Sequence, residues 1–470
     1  MTTTAHSPVG HAPSAGRFCN TGNGPSLIPL DIEHPTWMAV LGPETAFWSL
    51  VQKDRLAEVL GKPELLGSAY QAQRQDFQKE MDLLRFGLQP SAVYFNATDR
   101  CNLDCTYCYI PGELRRNGAH MSAERLLQAM AILKKYFATT MGEKTRKPRI
   151  IFHGAEPLLN RAAIFPGIDA FREDFQFGLQ TNSTLLDDAA IEFLTSRGVS
   201  IGLSLDGPEA EVTDRTRTAW NGGSVHAAVL QSLERLAGYP ALSVITTVTA
   251  TNLDRLVELV DLLHGLKVPA CLLNPVRCTL PGARTIKPDD QALADALLAA
   301  LERSHTLYRA TGHKLVVANY ANILLAILAP TARRLMCDIS PCGGGRAFFA
   351  VAAGGDMFPC SEFIGLDHFR GGNLFQDDIA AVLQTEPFRL VTRRDVEKFA
   401  PCNTCAIRHY CGSPCPAEAH EMHGAMEKTG AFCGLYEELV RHAFRVIADG
   451  RENDFLWNEW DAGVTTLFEM

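Results

Sequence analysis

Apolar and polar positions along this chain fall into two regimes. Between residues 91 and 280, short runs rich in β-branched and apolar residues stand at 91–97, 149–153, 175–181, 199–205, 242–249 and 270–275. They alternate with longer segments at 123–137, 189–196, 224–237 and 253–263, whose apolar residues recur every three or four positions. A run apolar throughout belongs to a strand buried on both faces, and the three-to-four spacing belongs to a helix with one buried stripe. Their alternation is the pattern of βαβ units around a parallel sheet. The spacing predicts an α/β fold in which a partial, TIM-like (β/α)6 barrel occupies 91–320.

Outside that region the pattern changes. Residues 29–90 show helical periodicity over 43–60 and 63–86, ending where Gly87 and Pro90 break a helix, which predicts a helical N-terminal cap on the barrel. The apolar stretch 315–330 is interrupted by Asn319 and Asn322 and is shorter than the ~20 residues a membrane span requires, so it reads as a buried helix. An amphipathic helix over 435–448 that packs back on the barrel opens the C-terminal unit expected at 436–470, which ends in a tail with Trp457, Trp460 and Asp461. Residues 1–28 are rich in Ser, Thr, Gly, Pro and Ala without an apolar core, the composition of a disordered leader and not of a secretion signal. The chain is expected in the cytoplasm.

Composition excludes several function classes. At 470 residues, 46% hydrophobic and 21% charged, the chain has the make-up of a soluble protein of two or three domains. A formal net charge of −9 provides no basic field for nucleic acid or anionic lipid. Fourteen cysteines without a secretion signal point to metal or redox use and away from disulfides. Three fall within 101–108 and eight within 337–433, leaving Cys19, Cys271 and Cys278 as a leader thiol and two small buried residues.

The first group, Cys101-x3-Cys105-x2-Cys108, follows the strand-like run 92–96. It therefore lies on the loop leaving the first strand, at the end where such barrels place their chemistry. Three thiolates can hold an iron–sulfur cubane but leave one iron without a protein ligand, and an open position is what distinguishes a catalytic metal site from a structural one. Zinc is the alternative occupant for the triplet read alone. With Tyr107 as the aromatic before the third cysteine, the motif resembles that of the radical S-adenosylmethionine (SAM) superfamily. The resemblance implies a [4Fe-4S] cluster that binds SAM and cleaves it reductively to a 5′-deoxyadenosyl radical. His153-Gly154-Ala155-Glu156-Pro157 resembles the superfamily's GGEP element, which implies that the backbone of Gly154 and Ala155 and the carboxylate of Glu156 hold the SAM ammonium. Ala155 departs from the second glycine, and its methyl requires φ < 0 or local room. Gln180-Thr181-Asn182 and Ser204-Leu205-Asp206-Gly207-Pro208, followed by Arg217, resemble the elements around the SAM ribose and carboxylate. By that resemblance Thr181, Asn182, Ser204 and Asp206 contact SAM, and the Arg217 guanidinium pairs with its carboxylate.

The second group, with Cys342 and Cys360 preceding Cys402-x2-Cys405-x5-Cys411-x3-Cys415-x17-Cys433, is similar to the SPASM domain of radical SAM enzymes that mature peptides and proteins, here expected over 321–435. The resemblance implies one auxiliary [4Fe-4S] cluster on Cys337, Cys342, Cys360 and Cys415 and a second on Cys402, Cys405, Cys411 and Cys433. Eight thiolates for two cubanes leave no open iron, which favours electron transfer over substrate ligation; zinc knuckles are the alternative for the spacing alone. Anaerobic sulfatase maturases have an Asp base directly after the cysteine at 360. Here Ser361 stands there and Glu362 one further on, and a one-residue shift along a strand reverses the side chain's face. Glu362 is thus a general-base candidate whose plainer reading is a surface carboxylate. A leader-recognition domain of three strands and three helices, frequent in such enzymes, has no visible strands in 31–90. The family reading is an enzyme with SAM and three [4Fe-4S] clusters, reduced by flavodoxin or ferredoxin, that modifies a side chain of a ribosomally made precursor peptide. Sulfatase maturation and a non-catalytic iron–sulfur electron carrier are the alternatives.

Overall fold

The computed structural model describes residues 27–141 and 146–461. Almost all of the expected leader, Cys19 and the last nine residues of the expected tail lie outside them. Three antiparallel strands open the described chain, β1 (Ile28–Leu30), β2 (Trp37–Gly42) and β3 (Phe47–Gln52), paired in that order. The wholly helical cap expected over 29–90 is corrected by these strands, and so is the reading that 31–90 has none. Phe47, Trp48 and Val51 have helical spacing, but the turn closed by Thr45 N–H to the Gly42 carbonyl at 3.1 Å lets residues 47–52 pair along the whole of β2. Aromatic and β-branched side chains suit that pleated surface better than a helix. The α-helices of this region are Leu56–Gly61 and Gly67–Asp82. The small sheet is tied into the main core: Trp48 Nε1 donates to the Ile327 carbonyl at 2.6 Å and the Tyr410 hydroxyl to that of Ala46 at 2.7 Å.

The six predicted strands are present as β4 (Ala92–Phe95), β5 (Arg149–Phe152), β6 (Gln176–Thr181), β7 (Ser200–Ser204), β8 (Leu242–Val248) and β9 (Ala270–Pro275), all parallel and adjacent in chain order. This is the partial (β/α)6 barrel. A short β10 (Val316–Val317) continues it beyond β9. The opposite edge is extended by the cysteine-rich region. There β11 (Phe348–Val351) runs parallel to β4, and β12 (Asp356–Phe358) and β13 (Gly372–Asn373) follow antiparallel. The auxiliary region therefore shares the barrel's own sheet, which is how its cysteines are carried toward those at the end of β4.

The stretch 315–330 forms the buried helix Ala318–Leu328, and a domain limit at 320 would cut through it. Its two interrupting asparagines serve the interior. Asn319 exchanges hydrogen bonds with both backbone groups of Leu273 on β9, at 2.8 and 3.1 Å. Asn322 accepts from the amides of Arg334 and Leu335, at 2.7 and 2.9 Å, and donates to Asp338. Buried side-chain amides persist only when their partners are supplied in this way. Leu435, Leu439, Val440, Ala443 and Phe444 of the helix Cys433–Ala448 are buried, so this helix packs back as expected.

Candidate active site

The loop leaving β4 is shaped by a buried arginine. Arg115 donates through Nε to the Ile110 carbonyl at 3.0 Å and through Nη1 to Leu103 O and Asp104 Oδ1 at 3.2 and 2.7 Å. Residues 216–218 zip along the same loop, with Asp104 N–H bonded to Thr218 O at 2.8 Å and Thr106 N–H to Thr216 O at 3.0 Å. Cys101, Cys105 and Cys108 are thereby turned onto the wall of a cavity of about 360 Å³ at the C-terminal ends of the parallel strands. The Leu103 amide lies 3.4 Å from the Cys101 sulfur, the kind of N–H···S contact that steadies a ligating thiolate.

Beyond β5 the backbone passes close beneath this wall. A Cβ on Gly154 would fall 2.4 Å from the Asn96 amide, so only glycine fits there. Ala155 has φ 48° and lines the cavity; the room its methyl requires is the cavity itself, at a backbone cost of roughly 1–2 kcal/mol. Glu156 does not share the wall. It is fully buried and accepts three hydrogen bonds, from Leu158 N–H at 3.0 Å, Thr181 Oγ1 at 2.8 Å and Asn182 N–H at 2.8 Å. Burial pushes its carboxyl up to about 7. Glu156 thus positions the turn after β6, and its expected contact with an ammonium gives way to this structural task. Thr181 and Asn182 do reach the cavity, and Asn182 Nδ2 lies 3.9 Å from the Cys101 sulfur.

Asp206, at the end of β7, is likewise a hub behind the wall. Its carboxylate accepts from the Tyr107 hydroxyl, from Thr216 Oγ1 at 3.3 Å, from Arg217 Nε at 2.9 Å and from Thr247 N–H at 3.0 Å. Ser204, Tyr107 and Arg217 face the cavity. The Arg217 Nη atoms have no hydrogen-bond partner among the described residues, which leaves its fork free for a carboxylate. Burial alone would lower its proton affinity, but the Asp206 carboxylate beside it, together with Tyr107 and Cys105, outweighs that and holds it above the usual range.

The other end of the same cavity is lined by Cys337, Cys342, Cys360 and Cys415. Cys337 is exposed, but into this cavity. Backbone amides of Gly344 and Glu418 lie 3.4 Å from the sulfurs of Cys342 and Cys415. Glu362 sits in a 3-10 turn, Ser361–Phe363, and not in a strand, so the face-reversal argument does not apply and its side chain lines the cavity. That corrects the surface-carboxylate reading. Its Oε2 is buried without a hydrogen-bond partner among the described residues, and burial pushes the carboxyl up to about 7. Tyr109, His153 and Arg277 stand on the same wall.

Cys402, Cys405, Cys411 and Cys433 are absent from that cavity and gather elsewhere: burial raises each thiol, and the proximity of Cys433, Cys405 and Cys402 raises Cys411 further. Arg394 stands between the two sets, donating to Met426 O, Ser413 O and Lys428 O at 2.6, 2.7 and 2.7 Å. Periodicity missed Arg115, Arg277 and Arg394, because charged residues are assigned by default to the surface. All thirteen described cysteines are free thiols.

The description of the radical SAM superfamily matches residues 95–263, and that of the SPASM iron–sulfur cluster-binding domain matches 342–406. An uncharacterized protein of Archaeoglobus fulgidus is 38% identical over 410 residues, which is 87% of this chain and 92% of that protein. This chain is a radical SAM protein with a SPASM extension. The cysteine-type anaerobic sulfatase-maturating enzyme of Clostridium perfringens is 22% identical over 74% of this chain and 94% of its own. Among solved structures, anSMEcpe with bound AdoMet and the Cp18Cys peptide matches with TM-score 0.66 and 19% identity, over 77% of this chain and 99% of that one. Streptococcus suis SuiB bound to precursor peptide SuiA matches with TM-score 0.56 and 13% identity, over 85% and 98%.

The residues fit the cofactors of a radical SAM protein, SAM and iron–sulfur clusters. The donors are soft, unbridged thiols facing a cavity, amide N–H groups approach their sulfurs, and an arginine fork is left free beside them. No helix among the described residues is long and apolar enough to cross a membrane.

Proposed function

We propose that this radical SAM protein modifies a side chain of a ribosomally synthesised precursor peptide in the cytoplasm, using SAM and three [4Fe-4S] clusters and an electron from reduced flavodoxin or ferredoxin. The observation that carries this reading is the shared cavity. It joins the open-site triplet Cys101, Cys105 and Cys108 to Cys337, Cys342, Cys360 and Cys415, with Glu362 within electrostatic reach of Cys108 and of Cys360 and Cys415. When bound, SAM and its cluster supply a 5′-deoxyadenosyl radical that removes one hydrogen atom from the substrate. The chain's residues prepare for that event. Arg217, Ser204 and Tyr107 orient SAM, Tyr109 and His153 wall off water, and Glu362 is placed to take the proton that leaves as the substrate is oxidised. Cys337, Cys342, Cys360 and Cys415 would hold one auxiliary cluster, and Cys402, Cys405, Cys411 and Cys433 another; with four thiolates each, the chemistry they would supply is electron transfer.

Sulfatase maturation is a second reading, favoured by the place of Glu362 and by the sulfatase-maturating relative. Iron and sulfide are measured after anaerobic reconstitution, followed by 5′-deoxyadenosine and mass analysis with candidate precursor peptides and with Cys- or Ser-containing sulfatase peptides. About twelve irons per chain, four per cubane, and a mass change on a precursor peptide support the proposal. About four irons, or absence of 5′-deoxyadenosine, overturns it, and a change confined to sulfatase peptides establishes the second reading.

A further inference from the structure

Away from the cavity, two segments that carry ligands of the first auxiliary group meet at a cysteine-free cluster. His368 lies in the 3-10 turn Asp367–Phe369, a few residues past Cys360, and His420 and Glu421 lie on the helix Pro416–His423, which Cys415 caps. One ligand atom from each of the three lies within 4.8 Å of the others. His420 Nδ1 is 3.0 Å from Glu421 Oε1, and the two imidazole centroids are 5.2 Å apart. Ligand atoms about 2.0 Å from a tetrahedral ion stand about 3.3 Å from one another, so the histidine–glutamate edge is already at that spacing and only the His368 side chain has to swing in.

The cluster is held in place by its surroundings. Both imidazoles pack on Phe369, at 4.1 and 5.1 Å, and Phe369 is buried against Phe363. Arg284 Nη2 donates to the Glu421 carbonyl at 2.6 Å and fixes the end of the helix. No Lys or Arg among the described residues forms an ion pair with Glu421, whose partner is His420, and the ring nitrogens of His368 have no hydrogen-bond partner there. His368 is exposed and the other two are half-buried, so a hydrated ion can enter from solvent.

We propose that His368, His420 and Glu421 bind one divalent transition-metal ion, with zinc as the best match. Two imidazoles and a carboxylate select a borderline cation over calcium or magnesium, and three protein ligands leave a fourth position for water. The bound ion clips the segment after Cys360 to the helix after Cys415 and steadies the cradle that both cysteines share. This site is independent of the peptide-modifying reading.

The test uses the anaerobically prepared full chain with its clusters. Zinc chloride is added, free metal is removed by desalting, and zinc and iron are counted by mass spectrometry. The wild type is expected to retain one zinc more per chain than the double variant His368→Ala/His420→Ala, with iron unchanged. Glu421→Gln, which keeps the backbone bond from Arg284, is expected to weaken zinc binding by at least about tenfold, since even the loss of a partner behind a ligand costs roughly that much. Zinc is also expected to raise the temperature at which the cluster absorption is lost in the wild type and not in the variants. Equal zinc in wild type and variants, or zinc gained only as iron is lost, overturns the site. Neither result depends on SAM cleavage.

Discussion

Replacing Arg217 by Met separates two tasks of one guanidinium. Its Nε bonds Asp206 at 2.9 Å in a pair whose side chains are 8% and 0% exposed, while its Nη atoms remain on the cavity wall. Breaking a buried pair costs about 3–5 kcal/mol. Asp206 keeps Tyr107, Thr216 and Thr247 as donors, which holds the loss at the lower end, about 3 kcal/mol. On the ligand side, the two charge-assisted hydrogen bonds proposed between Arg217 and the SAM carboxylate would be lost, at about 1.5 kcal/mol or more each. At about 1.4 kcal/mol per decade, SAM then binds about a hundredfold more weakly. Arg217→Lys keeps the charge without the fork and is expected to lose about tenfold. Equilibrium dialysis of labelled SAM under anoxic conditions measures affinity, and urea unfolding measures stability. Asp206→Asn serves as the control, because it disturbs the pair from behind the wall and should lower stability more than affinity. Unchanged SAM affinity in Arg217→Met, or a greater affinity loss in Asp206→Asn, refutes the assignment.

Three further expectations are open to direct measurement. Gly207→Ala places a Cβ 2.3 Å from Val212 Cγ1, and such overpacking is expected to cost about 1–3 kcal/mol in thermal or urea unfolding; an unaltered midpoint would show that the turn after β7 yields. Tyr410→Phe leaves the Ala46 carbonyl without the 2.7 Å donor that ties the N-terminal sheet to the core, for an expected loss of about 1–3 kcal/mol by chemical denaturation. Glu302 is drawn down to about 2, first by its hydrogen bond to His442 and then by Arg451. Burial holds the His442 imidazole below its usual value. A depressed carboxyl contributes stability above the ordinary carboxylate range and loses it as pH falls toward the folded value. Urea midpoints between about pH 5 and pH 2 should therefore fall more steeply in the wild type than in Glu302→Gln; parallel curves would show that the pair contributes nothing.

Much of the architecture is legible along the chain because it is written in local terms. Strand and helix periods depend on near neighbours, so β4 to β9 and the helix over 435–448 could be read directly, and cysteine spacing marked both ligand groups. Residues 47–52 misled because their helical spacing and their β-favouring side chains compete, and the partner strand β2 settles the contest. Glu362 misled because its face depends on whether 361–363 is a strand or a turn. Glu156 and Asp206 belong to motifs that name the right region, yet the assembled sheet places them behind the wall, where their oxygens are used up by donors from other strands. Period and spacing are properties of a segment and survive in isolation. Which edge β11 joins, which carboxylates lose water, and which thiols share a cavity depend on desolvation and pairing between segments far apart in the chain, and those are settled only when the whole sheet is built.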